Sequence, residues 1–173
     1  MSNMSVNVVS GDITRVEADG LITTINSSGQ WHSEIDHAIQ KLVRRHMHGQ
    51  AFAKSPLTDG QTVVAYGYGH SGNRAFKHVV FAIDDNVRPL VDVVVGGLMT
   101  ANNVGLASVT LPLIHMGARA GGIVEKSGLE IVAAMDAAIK KFQASNPKFV
   151  REITLVVNND ESLVRLARAI LHQ

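Results

Sequence analysis

The chain has 173 residues, 46% of them hydrophobic, so it can bury the core of one ordinary domain. Its formal net charge of +1 provides no strong field for nucleic acid or an anionic membrane. Cysteine is absent, which excludes disulfides, thiolate metal sites and a cysteine nucleophile. The start lacks a signal-peptide pattern, and the apolar stretch 90–99 is shorter than the about 20 residues that span a bilayer. We therefore expect one cytoplasmic domain over residues 1–173, with no membrane contact.

In the first half of the chain, the apolar patterns predict strands at 6–9 and 20–25, a helix from about residue 35, and strands at 62–66 and 76–83. In the second half they predict a helix at 89–102, a strand at 109–114, a long helix ending at 146–147, a strand at 153–157 and a final helix. The third and fourth strands are predicted to be a hairpin or near neighbours, because their connection is too short for a crossover helix. This order predicts an α/β fold, a three-layer α/β/α sandwich with a mixed central sheet.

Four loops leave the ends of predicted strands, at 10–14, 26–33, 115–122 and 158–160. If those strands are parallel, the loops share one edge of the sheet, where helix amino termini and backbone N–H groups suit a phosphate. The glycines of the third loop let the backbone approach a ligand closely. Plain connection is the alternative interpretation, because glycine is common between a strand and a helix.

Three segments of the chain resemble the macrodomain family, an ADP-ribose-binding α/β/α module. Gly11-Asp12-Ile13-Thr14 reproduces the family's GDIT element after the first strand. Residues 26–39 match the family's AN-x-x … V-D-G-A-I pattern without a gap, and residues 111–117 fall where the family has P-A-I-S-T-G. The resemblance covers the whole chain in order and implies the same sandwich fold and ADP-ribose or a related nucleotide as the ligand.

The resemblance also implies roles for individual residues. Asp12 would accept a hydrogen bond from the adenine amino group, Ile13 would line the adenine pocket, and Asn158 would lie near the adenine. Asn26 would face the distal ribose, and residues 115–119 would wrap the diphosphate. The ligand-binding residues implied in this way are Asp12, Ile13, Asn26, Ser33, His115, Met116, Gly117, Ala118, Arg119 and Asn158. The alternative for Asp12 and Asn26 is structural, since both residue types often do no more than close their own turns.

The chain departs from the family where its hydrolases act. Thr23 stands where those hydrolases carry asparagine, and Trp31-His32-Ser33-Glu34 replaces a run of glycines. The catalytic pattern of ADP-ribosyl hydrolases is therefore largely absent, and whether the chain is an enzyme stays open. Trp31 could stack on the ligand, but we favour a plug packed on the core, since burying such a side chain stabilises by ~1.5–3 kcal/mol.

Histidines are the alternative source of chemistry near the predicted cleft. His32 and His115 lie on the two loops that would flank the ligand, and imidazole can transfer protons near neutral pH. Solvent-facing hydrogen bonding is the competing interpretation for both. No spacing specific to a metal occurs, so we predict no metal site and no cofactor. His46 and His48 are expected after the first helix, on a solvated face.

Three functions remain at this point. The leading hypothesis is a divergent macrodomain that binds ADP-ribose or a related nucleotide without efficient catalysis, with an ADP-ribosylated protein as a candidate partner. The second is a hydrolase of ADP-ribose conjugates. The third is an interaction or scaffold module whose cleft Trp31 closes. The near-neutral charge disfavours nucleic acid as a partner.

Overall fold

The computed structural model describes residues 3–31, 35–67, 75–114 and 127–172, and within the first long helix it describes the side chains of 39–43 and 47–52. The strands are β1 (Ser5–Ser10), β2 (Ala18–Ile25), β3 (Thr62–Ala65), β4 (Phe76–Ile83), β5 (Ser108–Pro112) and β6 (Glu152–Val157). The helices are α1 (Ile35–Phe52), α2 (Leu90–Asn103), α3 (Gly128–Ala144) and α4 (Glu161–Leu171), with a 3-10 turn at Ile13–Arg15. Within these ranges no helix combines the length and apolar character that crossing a membrane requires.

The six strands form one sheet in the order β1-β6-β5-β2-β4-β3. All neighbouring pairs are parallel except β3 and β4, which run antiparallel. The predicted mixed sheet and the predicted pairing of the third and fourth strands are therefore confirmed. Because β1, β6, β5, β2 and β4 point the same way, the loops that follow them lie at one edge of the sheet.

Helices cover both faces of the sheet and create two cores, which confirms the predicted α/β/α sandwich. Successive residues of β2 enter different cores: Leu21 packs in the core with α1, whereas Ile22 packs in the core with α2, α3 and α4. Both side chains have no exposed surface. A strand buried on both faces has a continuous run of apolar residues, which is why β2 shows little alternation between apolar and polar residues.

The first strand forms one side of the sheet and has a neighbour only at β6. Arg168 of α4 reaches its free side, where the guanidinium Nε and Nη2 donate to the backbone oxygen of Val8 at 3.4 and 3.2 Å. A backbone carbonyl in the middle of this edge strand is thus hydrogen-bonded to a side chain.

Asp19 fastens β2 to β5 at the sheet edge where these two strands begin. Its Oδ2 accepts the backbone N–H groups of Ala107 and Ser108 at 3.0 and 3.2 Å, and its Oδ1 accepts from Lys77 Nζ at 3.1 Å. Partial burial of Asp19 raises its pKa, but the hydrogen bonds from Lys77 and the two backbone groups outweigh that effect and hold the pKa below its usual range. The carboxylate is therefore charged at neutral pH and joins two strands distant in sequence.

Asp19→Asn is expected to lower the free energy of unfolding by about 1–2 kcal/mol at pH 7, because charged hydrogen bonds are replaced by weaker ones. The pKa of Asp19 is lower in the folded chain, so its contribution is present above about pH 4, the unfolded value, and is lost as the pH falls through the folded value. Urea unfolding at pH 7 and pH 3 measures both effects.

The matched control is Asp92→Asn, which breaks an exposed ion pair with Lys141 at 3.6 Å. Such pairs contribute only about 0.2–1 kcal/mol. An equal decrease in the free energy of unfolding for the two variants at pH 7 would contradict a special role of Asp19.

Candidate nucleotide-binding edge

The carboxyl ends of the parallel strands collect four of the predicted site residues within the described part of the chain. These are Asp12, Ile13, Asn26 and Asn158. The other predicted residues lie outside the described residues, namely His32, Ser33, His115, Met116, Gly117, Ala118 and Arg119. What the structure describes is therefore the end of the site that carries the GDIT element, together with the turn that follows β2.

The loops after β1 and β6 are direct neighbours at this edge. Ser10 is paired with Val157, and the Gly11 N–H donates to the Val157 oxygen at 2.9 Å. Asn158 follows this last pair directly and Asp12 follows it after Gly11, so two predicted adenine-end residues from opposite ends of the sequence lie on adjacent loops. Asn158 is exposed, and nearby Asp160 caps α4 by accepting the Leu163 N–H at 3.0 Å.

Asp12 closes its own turn with one carboxylate oxygen and leaves the other more open. Its Oδ1 accepts from the Thr14 N–H at 2.9 Å and from Thr14 Oγ1 at 2.6 Å, whereas its Oδ2 lies 3.8 Å from Arg15 Nε. The side chain is 44% exposed. The Thr14 hydroxyl is the main cause of a lowered pKa, against the opposing effect of burial, and the Thr14 N–H and Arg15 add to the lowering.

Asp12 is therefore an anion at neutral pH with an accessible acceptor. A carboxylate has about four lone-pair sites, so closing the turn and accepting a ligand amino group are compatible. Ile13, the next residue, is 6% exposed and packs in the core on the α1 side. Its role as a wall of the adenine pocket stays a prediction.

The segment 26–31, which we call the first turn, closes on itself after β2. Asn26 Oδ1 accepts the Gln30 N–H at 2.8 Å, Asn26 Nδ2 donates to Gln30 Oε1 at 3.3 Å, and the Gly29 N–H donates to the Asn26 oxygen at 2.8 Å. These contacts give Asn26 the turn-closing role that the sequence left as an alternative. Contact of Asn26 with a distal ribose stays a prediction.

Two aspartates that the sequence reading passed over anchor the first turn from outside. Asp85, just beyond β4, accepts the Ser27 N–H at 2.7 Å, and Asp59 in turn accepts the Asp85 N–H at 2.9 Å. The available signal for Asp85 was its place after a strand that ends at the same edge, whereas Asp59, in the loop before β3, had no such signal. Their task is structural, because both carboxylates are used by backbone N–H groups.

Trp31 packs between α1 and the sheet, as the plug interpretation predicts. Its ring stacks on His48 with centroids 5.7 Å apart at 27° and meets the edge of Phe81 at 5.6 Å. A β-bridge to Ile25 fixes its backbone. The indole Nε1 is buried and has no hydrogen-bond acceptor among the described residues. Packing rather than hydrogen bonding therefore holds this indole.

The prediction for His48 is wrong. It lies inside α1 rather than after it, it is partly buried, and its Nε2 is 2.8 Å from the Gly29 oxygen. The helix continues because Met47 and Ala51, both fully buried, extend the apolar stripe. Gly49 costs about 1 kcal/mol within a helix, which is too little to end it. His46 also lies within α1 rather than after it, and its side chain is outside the described residues.

Chemistry at this edge is limited by what the described side chains offer. Thr23, at the position where the resembled hydrolases carry asparagine, is 1% exposed in β2 and presents no side chain to solvent. In the described ranges, no three or more His, Asp and Glu side chains gather as a metal site. The arrangement is suited to hydrogen bonding and charge recognition by Asp12 and its neighbours.

Comparison with known proteins identifies the fold. A macrodomain of Trypanosoma brucei, solved in complex with ADP and also with ADP-ribose, superposes with a TM-score of 0.77 in its ADP complex, at 14% identity over 96% of this chain and 68% of its own. The macro domain of ganglioside induced differentiation associated protein 2 gives a TM-score of 0.77 at 13% identity, covering 96% of this chain and 83% of its own. The chain therefore has the macrodomain fold, as its sequence motifs led us to expect.

Sequence comparison adds one relative. An uncharacterised protein of Aquifex aeolicus is 28% identical over 176 residues, which span 97% of this chain and 98% of that protein. No protein-family model matches the chain. The divergence of the sequence from the solved structures is thus large, although the architecture is shared over nearly all of its length.

Proposed function

We propose that this chain binds ADP-ribose or a closely related adenine nucleotide at the sheet edge where β1, β6, β5 and β2 end. The observation that carries the proposal is the exposed, charged Asp12 carboxylate beside the loop after β6, in a fold whose solved examples include complexes with ADP and ADP-ribose. A carboxylate oxygen there accepts a hydrogen bond from an exocyclic amino group, which adenine has.

The distance along the edge suits a ligand with two ends. From β1 to β2 there are three inter-strand spacings of about 4.8 Å, so Asp12 and the first turn lie roughly 14 Å apart. The adenine would be held at β1 and β6, and the distal ribose would reach toward β2. The diphosphate would cross the middle, where residues 115–119 follow β5.

We propose binding rather than efficient catalysis. Thr23 is buried where the resembled hydrolases carry asparagine, and Trp31 is engaged with His48 and Phe81. A mono-ADP-ribosylated protein would present the same ligand and is the macromolecular partner we propose. The net charge of +1 supports no role for nucleic acid. One cytoplasmic domain over residues 1–173 stays our expectation.

Calorimetric titration of the full chain with ADP-ribose, AMP and ribose 5-phosphate tests the proposal. We expect ADP-ribose to bind most tightly, AMP more weakly and ribose 5-phosphate most weakly, because only the first ligand reaches both ends of the edge. Absence of heat with ADP-ribose at millimolar concentration would refute nucleotide binding.

A further inference from the structure

We infer that His48, a residue of α1 outside the proposed ligand edge, is the positioning residue that holds the first turn in place for the distal part of the ligand. This inference rests on the proposed function, because it assigns the distal end of the nucleotide to that turn. It concerns a contact between a helix and a loop that no sequence motif of the chain indicates.

His48 contacts two residues of the first turn at once. Its Nε2 donates to the Gly29 oxygen at 2.8 Å, and the face of its ring stacks on Trp31. Phe52 and Phe81 lie against the edges of the imidazole, with centroids 5.2 and 6.3 Å away. The imidazole is therefore enclosed by aromatic rings and directed at one backbone carbonyl.

Gly29 makes this close approach of the turn to α1 possible. Its φ of +75° is in the left-handed region, and a Cβ built on it would lie 2.5 Å from Phe52 Cε2. A residue with a side chain would be strained at this φ and would displace either the Phe52 ring or the turn. The carbonyl that His48 binds thus belongs to a residue that lies directly against a side chain of α1.

The first turn is held at three points. Asp85 binds the Ser27 N–H, His48 binds the Gly29 oxygen, and Trp31 is packed between α1 and the sheet. Only the His48 contact joins the turn to the helix by a hydrogen bond in the described part of the chain. Removing that bond is expected to loosen the turn from the helix, while the bonds of Asn26 to Gly29 and Gln30 still close the turn on itself.

The turn lies at the end of β2, remote from Asp12 at the end of β1. A displaced turn should therefore weaken a ligand that reaches β2 and spare one confined to the β1 and β6 end. ADP-ribose and AMP are such a pair under the proposed function, because they share adenosine and one phosphate and differ in the distal portion. The ratio of their affinities reports the position of the turn.

The experiment compares His48→Phe with His48→Gln. Phenylalanine keeps a ring for Trp31 but cannot donate to Gly29, whereas the glutamine amide can donate to that carbonyl. We expect His48→Phe to weaken ADP-ribose binding about tenfold and to leave AMP binding within about twofold, as loss of one hydrogen bond predicts. His48→Gln should weaken ADP-ribose binding less than His48→Phe does. The matched control is Gln40→Ala, an exposed position on the same helix.

A second measurement tests the inference without ligand. Trp31 is the chain's only tryptophan, so its fluorescence reports the stack on His48 directly. In free His48→Phe we expect changed emission and faster amide exchange at residues 28–30, with an unchanged circular dichroism spectrum. His48→Gln should exchange more slowly at these amides than His48→Phe does.

The outcomes separate the two proposals. If the parent chain binds neither ADP-ribose nor AMP, the proposed function fails, and faster exchange at residues 28–30 in His48→Phe still supports the anchoring of the turn. If the parent binds both ligands and His48→Phe weakens them equally or not at all, the positioning role is wrong. Unchanged amide exchange in free His48→Phe would overturn it as well.

Discussion

Asp12→Asn is expected to lower the affinity for ADP-ribose by about 10- to 100-fold while the fold stays intact. Asparagine has the shape of aspartate, and its Oδ1 can still accept the Thr14 N–H and hydroxyl that close the turn. The second oxygen becomes an NH₂ group, which donates and so repels the donating amino group of adenine. Loss of a charged hydrogen bond of about 1.5–3 kcal/mol gives this range. Calorimetric titration with ADP-ribose measures it.

The same variant should reverse the preference between two small nucleotides. Hypoxanthine has an acceptor oxygen where adenine has the amino group, so Asp12→Asn is expected to bind IMP more tightly than AMP, whereas the parent prefers AMP. Glu17→Gln serves as the control, because it removes one negative charge at a neighbouring exposed position. If Asp12→Asn binds ADP-ribose as tightly as the parent chain, Asp12 does not contact the adenine.

Trp31→Ala is expected to lower the free energy of unfolding by about 2–4 kcal/mol, since the indole packs against His48, Phe81 and the core on the α1 side. Trp31→Phe should lower the free energy of unfolding much less. It keeps an aromatic ring and removes the buried indole N–H, which has no acceptor among the described residues and whose burial costs about 1–3 kcal/mol. Urea unfolding followed by circular dichroism provides the comparison.

Phe52→Ala is the control for Trp31, because Phe52 adjoins the same cluster but is 49% exposed. Phe52→Ala should lower the free energy of unfolding by about 1 kcal/mol, which is less than the decrease expected for Trp31→Ala. A Trp31→Ala chain within 0.5 kcal/mol of the parent, with Trp31→Phe equally unaffected, would contradict the packed position of the indole.

Local sequence pattern predicted the elements well where burial has a regular period. β4 was expected at 76–83 and occupies Phe76–Ile83, and the apolar run that marks it ends at Asp84 and Asp85. The pattern failed at the end of α1. Its apolar stripe was followed only to Val43, although Met47 and Ala51 continue it at four-residue intervals, and His48 was therefore misplaced.

The candidate site was predictable only in part, because its geometry depends on pairing between distant segments. The placement of Asp12 and Asn158 on adjacent loops follows from the register of β1 on β6, which pairs residues about 147 positions apart, as Ser5 and Glu152 show. No local period encodes such a register. The anchoring of the first turn by Asp85 and His48 is equally non-local, since one comes from beyond β4 and the other from α1.

The contact between Arg168 and Val8 has a consequence for the behaviour of the protein at high concentration. An uncovered edge strand is a template on which another chain can pair and start aggregation. Val8 lies in the middle of β1, and its carbonyl already receives two guanidinium donors. A second strand would have to displace that charged side chain before it could form a ladder. Arg168 of the last helix therefore helps to protect this side of the sheet against pairing with another chain.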